Sequence, residues 1–90
     1  NELLYFPFNS NNGAVAPATL TISTASGRTV YSETATNVNA GAHVFYIDYT
    51  GAHTVGSWIG NPGLTAGTYT YTITMAGQTL SSGSFQMVMG

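Results

Sequence analysis

Apolar and polar side chains alternate along several short segments of the chain, most regularly in residues 68–75, TYTYTITM. Successive side chains of a β-strand point to opposite faces, so the tyrosines share one face with Ile73 and Met75, and the threonines share the other. The same alternation recurs in residues 18–24, ATLTIST, and 43–49, HVFYIDY. No segment of ten residues has the three-and-four apolar spacing that is typical of an amphipathic helix. The pattern therefore predicts an all-β protein with essentially no helix.

Turn-forming residues separate these segments and divide the chain into about seven strands. ASGR at 25–28 and MAGQ at 75–78 predict tight hairpin turns, because glycine adopts the positive φ angles that such turns require. The first run, LLYFPF, contains Pro7, which has no N–H to donate and therefore favours an edge strand. The remaining predictions are a return strand over 28–34, a loop over 36–41, a long loop over 50–63 with one short strand near 55–59, and a closing strand over 78–89.

Short strands at this spacing, within a length that suits one modest core, predict a single antiparallel β-sandwich domain over residues 1–90. The inward rows of the strands supply the predicted core. Its members are Leu20, Ile22, Phe45, Ile47, Tyr69, Tyr71, Ile73 and Phe85, with Met87 and Met89 also pointing inward.

Three stretches of the chain, TLTISTASGRTVYSE, NAGAHVFYID and LTAGTYTYTITMAGQTLSSGSFQMV, resemble a small immunoglobulin-like (Ig-like) sandwich found in two bacterial families. One family is the C-terminal sorting domain of proteins exported by the type IX secretion system, and the other is the Ig-like domain of flagellar hook-capping proteins. The resemblance spans about residues 18–89 and implies an Ig-like fold in an extracytoplasmic or assembly-linked module. It is carried by Ser26-Gly27-Arg28, Val30-Tyr31, Ala40-Gly41, Asp48 and Ala66-Gly67-Thr68-Tyr69.

Charge is scarce, because the only charged side chains are Glu2, Arg28, Glu33 and Asp48, whereas about a quarter of an ordinary globular chain is charged. A single basic residue excludes nucleic acid and anionic membrane surfaces as partners. No apolar run is long enough for membrane insertion. Low charge also favours association, so we expect protein partners, either further copies of the chain or an assembly scaffold. The alternative is a neutral Thr/Ser/Asn surface that is simply hydrated.

The titratable residues do not form a recognisable catalytic or metal-binding pattern. His43 and Asp48 differ by an odd number of positions on one strand and so face opposite sides. The serines lack a G-x-S-x-G elbow, and His43, His53 and Asp48 do not match a compact zinc spacing. We therefore expect no enzyme activity, no metal and no cofactor. The chain has no cysteine for a disulfide or thiolate site.

Three sets of residues are candidates for contacts. The threonine rows, Thr68, Thr70, Thr72 and Thr74 with Thr19 and Thr21, could meet a protein partner or ice, although sheet twist disrupts a long flat lattice and solvent is the simpler alternative. Trp58, near Tyr46 and Tyr49 in sequence, could stack on a sugar or plug one end of the sandwich. The first run, Leu3, Leu4, Tyr5 and Phe6, could complete a neighbour's sheet by strand exchange or pack in its own domain.

Together these features predict a structural or assembly module of an extracellular, cell-surface or virion assembly, such as a fibre, surface layer or decoration subunit. One alternative is a C-terminal secretion-sorting domain of a larger exported protein. A second is a glycan- or ice-binding module. The opening NELLYFPF has neither an initiator methionine nor a basic signal region, which predicts a processed product or a piece of a longer chain.

Overall fold

A computed structural model describes residues 3–48, 59–60 and 64–88, and shows them as two β-sheets. The described residues contain no helix, as the alternation predicts. The strands are β1 (Leu3–Ser10), β2 (Ala16–Thr24), β3 (Thr29–Val38), β4 (Gly41–Asp48), β5 (Ile59–Gly60), β6 (Gly67–Met75) and β7 (Gln78–Met87). Six of these strands have eight to ten residues and β5 has two, so the described residues contain six long strands where the sequence predicts about seven.

The sheet topology is that of a sandwich with a four-stranded and a three-stranded layer. The four-stranded sheet has the order β3-β2-β6-β7, and the three-stranded sheet has the order β1-β4-β5. The six long strands pair antiparallel, and β5 adds to β4 in parallel. In the Ig fold, strands C′, C, F and G lie side by side in one sheet, and strand B pairs with strand E in the other. The chain therefore follows an Ig-like order, with β1 and β4 in the positions of B and E.

Two hairpins build the four-stranded sheet, and both predicted turns are present. In the turn between β2 and β3, Gly27 has a φ of +96°, and its N–H donates to the Thr24 carbonyl over 2.9 Å. The turn between β6 and β7 places Ala76 at φ +52° and Gly77 at φ +77°. Two consecutive positive φ angles define a type I′ turn, whose twist matches that of the flanking strands.

The core lies between the two sheets and is built from the inward rows of the long strands. Phe45, Leu20, Ile22, Ile47, Ile73 and Val38 are its largest fully buried side chains. The predicted core members Leu20, Ile22, Phe45, Ile47, Tyr69, Ile73 and Met87 are buried, whereas Tyr71 and Phe85 are only partly buried at its margin. Met89 lies outside the described residues.

The core also contains residues that the sequence pattern did not select. Phe6 and Phe8 from β1 are buried, and the Phe6 ring lies 4.8 Å from the Tyr71 ring and 5.5 Å from the Phe85 ring. Val38 is buried as well, because β3 continues to this residue through a segment predicted as a loop. Asn37 allows this extension by adopting φ +61°, a left-handed conformation that asparagine tolerates well.

Candidate functional site

The outer side of the four-stranded sheet is a continuous field of hydroxyl side chains, here called the hydroxyl face. The strand register aligns them in three rows of four, each row crossing β3, β2, β6 and β7 in that order. The rows are Thr34-Thr19-Thr74-Thr79, Ser32-Thr21-Thr72-Ser82 and Thr29-Ser23-Thr70-Ser84.

Local sequence explains why this face is so uniform. Alternation in β2 and β6 sends Leu20, Ile22 and Ile73 into the core, which leaves the intervening threonines and Ser23 on the outside. Register shifts beside the rows, between Ile22 and Ser23 and between Ile73 and Thr74, are absorbed without placing an apolar residue in any row. Thr19 and Thr34 form a cross-strand hydrogen bond with an Oγ1–Oγ1 distance of 2.9 Å, a pair type that stabilises neighbouring strands.

All six threonines predicted as a contact face lie on this outer side. Thr19, Thr21, Thr70, Thr72 and Thr74 belong to the rows, and Thr68 is one step beyond them, opposite Gln86. Sequence inspection did not identify the serines and threonines of β3 and β7 that complete the rows. Hydroxyl residues also alternate in β3 and β7, but this alternation indicates a shared face only when the strand order is known.

The outer side of the three-stranded sheet has a different character and carries a second surface, here called the tyrosine face. It consists of Tyr5 and Pro7 from β1 with Val44 and Tyr46 from β4. Tyr5 is 60% exposed, which is unusual for a large aromatic side chain, and its ring meets the Tyr46 ring edge-on with centroids 5.2 Å apart. Asn9 and Ala42, also exposed, continue this surface toward the end of β1.

The first run of the chain, proposed above for strand exchange, lies in its own domain. Leu3, Leu4, Tyr5 and Phe6 belong to β1 and pair with Asp48, Ile47, Tyr46 and Phe45 of β4. No other strand of the described residues pairs with β1, which places Pro7 on an edge strand as predicted. Exchange between chains stays a prediction.

The titratable residues of the described part are scattered over separate locations. His43 is opposite Phe8 on β4, where the two rings stack with centroids 5.6 Å apart, and its Nε2 donates to the Asn39 carbonyl over 2.7 Å. Asp48 is the last residue of β4 and pairs with Leu3 of β1. Glu2 and His53 lie outside the described residues, as does Trp58.

Tyr31 and Glu33 form the one side-chain pair of the described residues that shifts a pKa clearly. They are two positions apart on β3, and the Tyr31 hydroxyl donates to Glu33 Oε1. Burial of the phenol raises the pKa of Tyr31 well above its ordinary value, and the hydrogen bond to Glu33 and the charge of that carboxylate raise it further. The hydrogen bond to Glu33 therefore favours the protonated form of the phenol.

Ser10 is the one buried polar residue found in the described part of the chain. Its hydroxyl donates to the Met75 sulfur over 3.2 Å and accepts the Asn12 backbone N–H over 3.3 Å. Neither neighbour can remove its proton, so the contacts fix the loop after β1 and do not activate a nucleophile.

Within residues 3–48, 59–60 and 64–88 there is no pocket and no cluster of side chains suited to a metal ion. The same residues include no helix with the length and apolar character needed to cross a bilayer.

Comparison with protein-family models, curated proteins and solved structures finds no match to the chain. The resemblance to sorting and hook-capping domains consequently stays a prediction from sequence motifs.

Proposed function

We propose that this protein is a non-enzymatic structural module that associates with copies of itself, through the tyrosine face, in an extracellular or virion assembly. The observation that carries the proposal is the exposure of Tyr5 beside Tyr46 on the outer side of the three-stranded sheet. Burying this surface would remove two phenol rings, a proline and a valine from water, which is favourable in proportion to the apolar area buried.

Interface composition favours this face over the hydroxyl face as a protein contact. The centres of protein interfaces are enriched in tyrosine and depleted of serine and of charged residues, and tyrosine is common among residues that dominate binding energy. The tyrosine face has two tyrosines at its centre, whereas the rows of the hydroxyl face contain threonine and serine only. The low net charge of −2 further reduces repulsion between copies.

The proposal predicts self-association that depends on Tyr5. In sedimentation velocity over a concentration series, we expect the wild-type chain to shift toward larger species as concentration rises. Tyr5→Lys should remain monomeric, because it would bury a charge at the centre of the contact. Gln78→Lys is the matched control, since it adds the same charge at the exposed first residue of β7, which pairs with Met75 and lies outside the residues of both faces.

The variants separate a contact effect from a loss of folding when circular dichroism is recorded on the same samples. Wild-type protein that stays monomeric at its highest soluble concentration would contradict self-assembly. Association that persists in folded Tyr5→Lys would show that the contact lies elsewhere on the molecule.

A further inference from the structure

The hydroxyl face repeats regularly in two directions. Neighbouring strands are about 4.8 Å apart, and alternate residues along a strand are about 6.8 Å apart, so paired rows form a near-rectangular lattice of side-chain hydroxyls. In the centre of the sheet this lattice consists of Thr19, Thr21 and Ser23 on β2, which pair with Thr74, Thr72 and Thr70 on β6. A protein partner recognises local shape and individual groups, so it does not need such a repeat. A ligand that is itself a lattice gains one contact for each repeat.

The chemistry of the face indicates which lattice it suits. Its three rows contain neither a charged nor an aromatic side chain. Surfaces that hold sugars or proteins commonly use aromatic rings as stacking platforms or anchors, and in this chain the exposed aromatic side chain of the described part, Tyr5, lies on the opposite sheet. Threonine offers a hydroxyl that hydrogen-bonds water and a methyl group that ordered water can surround. Water molecules on the planes of ice repeat at intervals of similar size to those of the strand lattice.

Sheet twist limits the area over which such a match can hold. Adjacent strands rotate by about 20–25°, so a row that crosses all four strands cannot stay flat. The central pair, β2 and β6, accumulates one such rotation only. Its register runs from Ala18 and Met75 to Thr24 and Tyr69 without a shift, so the six central hydroxyl residues keep their lattice positions.

We propose that the hydroxyl face binds ice through the central lattice of Thr19, Thr21, Ser23, Thr70, Thr72 and Thr74. This activity uses a different face from the one proposed for self-association, so neither proposal depends on the other. The lattice is short, and we therefore expect adhesion to ice that slows recrystallisation rather than a large depression of the freezing point.

The test measures partition of the protein into a slowly growing ice front, with the size of ice grains during annealing as a second measurement. We expect wild-type protein to be enriched in the ice fraction over a non-binding protein at the same concentration, and to keep grains small. The double variant Thr21→Lys/Thr72→Lys should lose both effects, because two long charged side chains would stand on the central row and hold liquid water around them. Gln78→Lys carries the same kind of change off the face and should behave as wild type.

Each outcome decides the proposal once circular dichroism shows that the variants are folded. If the double variant does not fold, Thr21→Val/Thr72→Val removes the central hydroxyls and keeps the shape of the side chains. Exclusion of the wild-type chain from ice would overturn the proposal. So would unchanged enrichment of a folded double variant. Retention of wild-type protein on microcrystalline cellulose or chitin, without enrichment in ice, would assign the lattice to a polysaccharide and overturn ice as its ligand.

Discussion

A single pair of side chains, Tyr31 and Glu33, makes the stability of the protein depend on pH. Both residues occupy inward positions of the edge strand β3, opposite Ile22 and Leu20 of β2, and are partly buried there. A phenol at this position loses part of its hydration, and ionisation would set its charge beside a carboxylate. The pKa of Tyr31 is therefore raised in the folded state, whereas in the unfolded chain it returns to about 10.

The raised pKa predicts a loss of stability at alkaline pH that Tyr31→Phe removes. The folded state holds the phenol proton more tightly, so the contribution is complete below about pH 10 and is lost as pH rises above it. Release of a full proton on unfolding would change the free energy of unfolding by about 1.4 kcal/mol per pH unit. Because this partly exposed site is screened by solvent, we expect wild type to lose only about 0.5 kcal/mol more than Tyr31→Phe. The measurement is urea unfolding between pH 8 and pH 11. Tyr5→Phe serves as the control for loss of a surface phenol, and curves for Tyr31→Phe that run parallel to wild type would contradict the assignment.

At the scale of elements, the hairpins explain how the hydroxyl face acquires its register. The turn between β6 and β7 closes on Ala76 and Gly77 and so pairs Met75 with Gln78, which fixes the pairing of the threonines of β6 with the hydroxyl residues of β7. The turn between β2 and β3 does the same on the other side, with Gly27 in the left-handed region. The central pairing of β2 with β6 joins the two hairpins, and this step depends on burial of Leu20 and Ile73 rather than on a turn.

Ala76 has a positive φ that alanine adopts unfavourably, so Ala76→Asn should stabilise the protein. A left-handed residue with a Cβ costs roughly 1–2 kcal/mol, and Asn-Gly is the preferred pair for a type I′ turn, so we expect a gain of about 0.5–1 kcal/mol in the free energy of unfolding. Urea unfolding at neutral pH measures the gain. Ala25→Asn is the matched control because Ala25 is also a turn residue but has no positive φ, and an equal gain there would point to a general effect of asparagine.

The alternation in β2, β4 and β6 and the glycines of the turns predicted the strands that form the centre of the fold, because these signals are local. The sequence pattern missed the extension of β3 to Val38, because it depends on a left-handed Asn37. It also missed the tyrosine face, because Tyr5 and Tyr46 are far apart in sequence and meet through the pairing of β1 with β4. Thr-x-Thr repeats in the sequence predicted part of the hydroxyl face, but the alignment of its residues into rows depends on the strand order.

At the scale of the whole molecule, the shortage of charge determines how the protein should respond to its surroundings. Four charged side chains in 90 residues leave little for salt to screen. Raising NaCl from about 0.01 M to 1 M shortens the Debye length from about 30 Å to about 3 Å, yet exposed ion pairs contribute roughly 0–1 kcal/mol each. We expect the free energy of unfolding to change by less than about 0.5 kcal/mol over this range at pH 7.

Sodium sulfate should behave differently, because it is excluded from protein surfaces and strengthens apolar burial irrespective of charge. Thermal unfolding in NaCl and in sulfate at matched ionic strength separates the two effects. A stability curve that rises or falls strongly with NaCl would mean that the few charged groups, among them Arg28 and Glu33, contribute far more than their number suggests. A flat NaCl response with stabilisation by sulfate would show that packing and sheet hydrogen bonds, rather than ion pairs, hold the sandwich.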